Sequence, residues 1–356
     1  MKTHKTFNNI LIVRTDRIGD VVLSTPAIKA ISQSYPGARI SVLVTPATFD
    51  LVNGNPYVDE ILIDDRQGRH KDLFGFLLLA REIRLKQFDL VIIFHTKRRY
   101  NLVCYTAGVP YRLGYKNNKL GSLLTHPLKD IRPLGEKHEA IYCMDVLKAI
   151  GVENDELDLF VPLQKEAEGW MLNWMDENNV KTNEFIVIHP GASDPTKCWP
   201  TENFASFIDR FAERYSLKIV LIGTPQTMPV AAEILHKTRR SSEVLNLTGK
   251  TSLAQMASLL RRSRLLISND SGPVHVAAGV GCSVISLFLR NQPGINAERW
   301  KPLGPKSFIL SNKQGEEIKL DTKGKVIAGK PGSISVDSVL ELTEQIFQKN
   351  NQYEIF

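Results

Sequence analysis

Three stretches of this chain combine small and charged residues in an order that suits chemistry on a phosphorylated substrate. In "ILIVRTDRIGD" an apolar run ends in Arg14, Asp16 and Arg17, and Gly19 and Asp20 follow. A carboxylate where a strand gives way to a helix has two readings. It can cap the helix, where the N-terminal dipole favours an anion, or it can act as a general base at the carboxyl edge of a sheet. Arg14 and Arg17 would keep it ionised and could hold an anionic substrate. Spacing alone leaves both readings open.

The second stretch is "HPGASDPTKCWP". Gly191, Ala192 and Ser193 offer backbone N–H groups to an anion, and Lys197 adds a point charge suited to a phosphate. The alternative is a plain loop with a solvated lysine. The third is "ISNDSGPVHVAAG", in which Asn269 and Asp270 end a strand and Ser271, Gly272 and Pro273 open a helix. The N–H groups of Ser271, Gly272 and Val274 would point at a phosphate, with His275 in the first turn facing the same space. Asp270 would repel a phosphate and is expected to accept bonds from sugar hydroxyls. The competing reading makes Asp270 or Ser271 an N-cap and His275 a satisfied surface residue. A glycine fingerprint GxGxxG and a Walker loop GxxxxGK[ST] are both absent, which argues against dinucleotide and P-loop sites.

Such residues act together only if the fold brings strand ends to one edge. The first half alternates apolar strands, expected at 10–14, 39–44, 60–63, 90–94 and 112–115, with helical patterns at 21–34, 49–53, 74–85 and 101–107. Continuous runs such as "LVIIF" and "ISVLV" suit strands covered on both faces, and strand–helix alternation implies a parallel sheet with right-handed crossovers. A helix over 140–150 ends at Gly151, and the acidic "VENDELDLFVPL" reads as a connection between domains. The pattern then restarts, from a helix at 164–178 through the strands "FIVIH", "KIVLIG", "EVLNLTG", "RLLISN" and "SVISLF". Residues 312–333 read as a surface loop, and a last helix begins after Ser335 as N-cap. The expected architecture is therefore two doubly wound α/β domains. Ligands of such sheets sit beyond the carboxyl ends of the strands, where all three stretches fall.

With 356 residues, 23% of them charged, the chain has the balance of a soluble two-domain protein. No run of about 18 apolar residues suggests a membrane span, and "MKTHKTFNN" lacks the apolar core of a signal peptide. Four scattered cysteines without a CxxC pair suit a reducing cytoplasm and give no metal site. The net charge of +7 suits an anionic partner. Its cations are dispersed without an aromatic–basic platform, which disfavours nucleic acid.

Taken together, "ILIVRTDRIGDVVLSTPAIKAI", "HPGASDPTKCWP" and "LISNDSGPVHVAAGVGCSVISLF", with the spacers "YTAGVPYRLGY" and "LTGKTSLAQMASLLRRSRLLI", resemble glycosyltransferase family 9, the ADP-heptose:lipopolysaccharide heptosyltransferases. The resemblance implies a GT-B fold, two Rossmann-like domains facing across a cleft. Residues 1–162 would form the acceptor-binding domain and 163–335 the donor-binding domain, with the helix over 336–356 packing back on the first. Asp20 matches the family's catalytic base. Ser193, Lys197, Asp270, Ser271, Gly272 and His275 match its donor-binding residues. The implied reaction is inverting transfer of a heptose from a nucleotide-diphosphate sugar, ADP-heptose, to the lipopolysaccharide inner core, with no cofactor or metal. Arg17, Lys97, Arg98 and Arg99 follow strand ends and are the candidates for holding acidic groups of the acceptor. A cytoplasmic monomer is expected, peripheral at the inner membrane through electrostatics alone. One departure is notable: after "KIVLIG" some members carry an acid for the ribose, whereas here no acid occurs before Glu233. Two other classes remain open, a sugar-nucleotide epimerase, which would turn over donor without acceptor, and a non-catalytic nucleotide-sugar-binding module.

Overall fold

The computed structural model of the chain describes residues 6–311, 319–320, 326–328 and 334–353. Contacts divide the chain into two compact units, Met1–Pro162 and Leu163–Phe356.

The first unit contains β1 (Asn9–Val13), α1 (Ile18–Leu23), α2 (Thr25–Ser34), β2 (Arg39–Val44), β3 (Glu60–Ile63), α3 (Leu73–Leu85), β4 (Leu90–Ile93), α4 (Arg98–Thr106), β5 (Tyr111–Lys116), β6 (His126–Lys129) and α5 (Glu139–Lys148). Its six strands form one parallel sheet in the order β3-β2-β1-β4-β5-β6. The apolar run at Ile10–Val13 lies at the centre and is fully buried, as a strand covered on both faces must be.

The single helix expected over 21–34 is two helices that meet at Ser24, whose hydroxyl donates to the Val21 carbonyl at 2.7 Å. Pro26 has no N–H to continue the ladder of α1 and sits instead in the first turn of α2. The helix expected over 49–53 is a 3₁₀ turn, Pro46–Leu51, closed by reciprocal bonds of Thr45 and Thr48. Strand β6 was not expected because it contains Pro127. It lies at the sheet edge, where a missing N–H is tolerated.

The second unit repeats the design. It contains α6 (Lys165–Glu177), β7 (Phe185–His189), α7 (Thr201–Arg214), β8 (Lys218–Leu221), α8 (Met228–Lys237), β9 (Val244–Asn246), α9 (Leu253–Arg262), β10 (Leu265–Asn269), α10 (Gly272–Gly279), β11 (Val284–Phe288), α11 (Ala297–Trp300) and β12 (Ser307–Ser311). The parallel order β12-β11-β10-β7-β8-β9 is that of the first sheet when counted from the unit's own first strand. Both units are thus Rossmann-like, and together they give the GT-B fold. A short antiparallel pair, β13 (Lys319–Leu320) and β14 (Val326–Ala328), follows. The rest of the surface loop expected over 312–333 lies outside the described residues.

The final helix, α12 (Val336–Tyr353), packs on α7 of the second unit. Val339, Leu340, Ile346 and Phe347 on its inward face are buried in the second unit's core. Tyr215 meets the Phe347 ring edge-on at 5.3 Å, and the Arg264 guanidinium lies 4.3 Å over the same ring. Ser335 caps the helix as expected, accepting from the Ser338 N–H at 3.1 Å.

Candidate functional site

The strand order of each sheet reverses at one place, between β1 and β4 in the first unit and between β7 and β10 in the second. Loops leaving such a switch point diverge and open a crevice at the carboxyl edge. The residues singled out in the sequence follow β1, β4, β7 and β10.

In the first unit, Arg14 extends from the end of β1 into the interior and is 1% exposed. Its Nη2 donates to Asp20 Oδ1 at 2.9 Å and to Glu139 Oε1 at 3.0 Å, and its Nε donates to the Asp20 carbonyl at 2.9 Å. Asp16 Oδ1 lies 3.2 Å from the same Nε. Three carboxylates therefore converge on one guanidinium. Burial works against the charge of Arg14, but Asp16, Asp20 and Glu139 outweigh it and hold the guanidinium protonated. Burial and the neighbouring Asp16 push the Asp20 carboxyl up to about 7, against the opposing pull of Arg14. Burial also raises Asp16.

This geometry removes the capping reading of Asp20. The N-cap of α1 is Arg17, no side chain caps the helix, and Asp20 in the first turn is turned toward Arg14. It also corrects the role given to Arg14, which is enclosed by carboxylates and is not offered to a substrate.

Beside this cluster, His95 follows β4 and shares a 2.9 Å hydrogen bond between Nδ1 and Thr15 Oγ1. Burial and the cations Lys97, Arg14, Arg66 and Arg132 lower its pKa to about 3, so it is neutral. Arg132 closes the edge, donating to the Phe94 carbonyl at 3.1 Å and to Thr96 Oγ1 at 3.0 Å while paired with Asp130. Of the four acceptor candidates, Arg17, Lys97 and Arg98 are exposed. Lys97 and Arg98 stand at the N-cap and first residue of α4. Cations are disfavoured at that positive end, so an anion there would relieve them. Arg99 is different. Its guanidinium grips the fully buried Asp64 with two bonds of 2.9 Å and the His70 carbonyl at 2.8 Å, so its donors are engaged within the fold.

In the second unit, the loop after β7 and the loop after β10 are sewn together by Asn269. It accepts from the Trp199 N–H at 2.9 Å and donates to the Pro190 carbonyl at 2.7 Å. Lys197 and Asp270 meet in an ion pair, both mostly buried. Neither Asp270 nor Ser271 caps α10 with its side chain. Ser271 Oγ instead donates to the Asn269 carbonyl at 3.1 Å and lies 3.2 Å from His189 Nδ1. The N–H of Val274 is bonded to the Ser271 carbonyl at 3.2 Å, so it is not among the groups offered to a phosphate. His275 is 2% exposed, which excludes its reading as a surface residue. Ser193 is exposed on the loop.

Sequence reasoning passed over Arg290. It follows β11 and donates to Asp194 Oδ2 at 2.6 Å, while Asp194 Oδ1 accepts from the Thr196 N–H at 2.9 Å. The bridge braces the loop carrying Ser193 and Lys197. Glu233, the acid noted after β8, bonds Thr201 and Lys237 on the exposed surface.

Gly191 has a steric role besides the backbone N–H it offers. A Cβ there would lie 2.7 Å from Thr227 Oγ1 and 3.0 Å from its Cγ2. Gly191→Ala is expected to cost about 1–3 kcal/mol, and Thr227→Ala in the same chain should restore most of it. Equal thermal unfolding of Gly191→Ala and the native protein would refute the packing account.

A family model described as "Glycosyltransferase family 9 (heptosyltransferase)" matches residues 76–327. A curated relative, lipopolysaccharide heptosyltransferase 3 of Escherichia coli (strain K12), is 26% identical over 275 residues, covering 76% of this chain and 79% of the relative. A family 9 glycosyl transferase structure from Veillonella parvula DSM 2008 superposes with a TM-score of 0.85 at 24% identity, covering 96% of this chain and 98% of that one. The structure of E. coli ADP-heptose lps heptosyltransferase II gives 0.77 at 21% identity, covering 96% and 99%.

Proposed function

Because the chain belongs to glycosyltransferase family 9 (heptosyltransferase), we propose that it moves a heptose from ADP-heptose to the inner core of lipopolysaccharide with inversion at the anomeric carbon. The observation that carries this reading is Asp20, a carboxyl at the carboxyl edge of the first sheet, oriented by a buried arginine and poised at about 7. A general base works best when its pKa lies near the working pH.

In this reaction an acceptor hydroxyl attacks the anomeric carbon and gives its proton to Asp20. The bond from that carbon to the diphosphate oxygen breaks, and ADP leaves with the electron pair. Charge grows on the diphosphate as the bond breaks. Lys197 and the N–H groups of Ser271 and Gly272 at the start of α10 would stabilise it in the manner of an oxyanion hole. Asp270 holds the Lys197 ammonium before the donor arrives, and would turn to sugar hydroxyls once the diphosphate takes its place. Ser193 and His275 complete the donor set. Arg17, Lys97 and Arg98 are the cations left to meet acidic groups of the acceptor, whose lipid would keep the enzyme at the membrane surface.

Lys197→Ala is expected to weaken ADP binding by about 1.5–3 kcal/mol, roughly ten- to a hundredfold in Kd. Calorimetric titration with ADP checks this, and unchanged affinity would remove Lys197 from the donor site. The function itself is tested by incubating the protein with ADP-heptose and heptose-deficient lipopolysaccharide. One heptose should be added per ADP released, with the opposite anomeric configuration by NMR. Donor isomerised without acceptor would identify an epimerase instead.

A further inference from the structure

Helix α3 carries two apolar stripes, and only one is used by the core. At 100° per residue, positions 75, 79, 80 and 83 share one side, and Gly75, Leu79, Ala80 and Ile83 are buried there. Positions 73, 74, 77, 81, 84 and 85 fall on another side, within about 120° of arc. That side carries Leu73, Phe74, Leu77 and Leu85, which are 74%, 77%, 50% and 67% exposed, with Arg81 and Arg84 among them. The neighbouring α4 continues the surface with Leu102 and Tyr105, 38% and 53% exposed.

The exposure does not come from a loose helix end. Asp72 caps α3 by accepting from the Gly75 N–H at 2.8 Å. A Cβ at Gly75 would meet the Arg69 carbonyl at 2.5 Å, so the preceding loop is packed on this turn. The same loop is anchored by Arg99 to Asp64 and the His70 carbonyl, and Tyr100 donates to Asp64 at 3.0 Å. A firmly held turn presenting large apolar side chains marks an interaction surface.

Charge selects the occupant. Asp72 is used as the cap, and Glu82 is paired with Arg69. Lys71 and Arg81 make no ion pair with the described residues. The stripe therefore offers leucine, phenylalanine and cations with no uncommitted carboxylate, the composition of a helix that lies in an anionic lipid interface. Two copies of it face to face would bring cation against cation. We infer that the outer face of α3, with the adjoining face of α4, docks on an anionic lipid surface. This inference concerns the membrane and not the sugar, so it can fail or hold independently of the transfer reaction.

The test is sedimentation of the full chain with vesicles of phosphatidylglycerol and phosphatidylethanolamine, against phosphatidylcholine alone. The native protein is expected to bind the anionic vesicles, less so as salt rises. The triple variant Leu73→Ser, Phe74→Ser, Leu77→Ser should lose roughly tenfold or more in partitioning while retaining its unfolding temperature and ADP affinity. Lys71→Ser with Arg81→Ser should abolish the preference for phosphatidylglycerol. Partitioning unchanged in the triple variant overturns the inference. So does a native dimer that the triple variant dissociates, which would assign the face to a second copy. A native protein that partitions onto the anionic vesicles through this face yet transfers no sugar supports the docking inference and counts only against the transfer reaction.

Discussion

Asp20→Ala is expected to lower turnover by roughly 10²–10⁴-fold, the range for removal of a general base, with ADP affinity retained. No cap is lost in this variant, since Asp20 caps nothing in α1. A variant that transfers heptose normally would remove Asp20 from the chemistry. The native pH profile provides an independent check. With the carboxyl at about 7, kcat/KM should fall about tenfold per pH unit below that value as the base is protonated. Asp16 and Glu139 both raise Asp20, so Glu139→Gln should move the acid limb to lower pH. A role for Glu139 in stability alone would leave the limb in place. The linked effect on stability has the opposite sense to that of a salt-bridged carboxylate. Asp20 rises from 3.8 to about 7 on folding, so the folded protein keeps a proton that the unfolded chain has released. This contribution is full below about pH 4 and is lost as pH climbs through about 7.

The second large effect belongs to Arg14. Removing its guanidinium leaves Asp16, Asp20 and Glu139 without the cation they share. Taking one partner from a buried ionic cluster typically costs about 3–5 kcal/mol, so Arg14→Met is expected to unfold the first unit at markedly lower denaturant concentration. Whatever activity survives should titrate above the native value, because the cation that favours ionised Asp20 is gone. Arg14→Lys should recover little, since one ammonium cannot reproduce the donors that Nε and Nη2 direct at separate oxygens. Native-like stability and pH dependence in Arg14→Met would show that the carboxylates do not depend on it.

The strands were legible because each is a short, continuous apolar run bounded by turn residues, and a strand buried on both faces leaves that mark. Strand β6 escaped because Pro127 breaks the pattern, and only its place at the sheet edge makes the proline acceptable. The two helices over 18–34 were merged because Pro26 reads equally as a kink or as a first-turn residue. The last helix had an unmistakable apolar stripe, but nothing in a stripe names its partner. Phe211 and Tyr215 of the second unit supply the surface that covers Phe347.

The same division runs through the candidate site. The sequence by itself determined that Asp20, Lys197, Asp270 and Ser271 lie at strand ends, because strand, loop and helix signals are local and the carboxyl edge follows from them. It could not choose between cap and base, since both readings use the same spacing. What set the cap aside was Arg14, which draws in Asp20 from 6 residues away and Glu139 from 125. Glu139 opens a helix with no local mark of function, and Arg290 follows a strand as many surface arginines do. The tertiary structure alone decided that Arg14 is enclosed, that Arg99 is committed to Asp64, and that Asp20 is held near neutrality. A pKa depends on burial and on charges within a few ångströms, and chain separation says almost nothing about either.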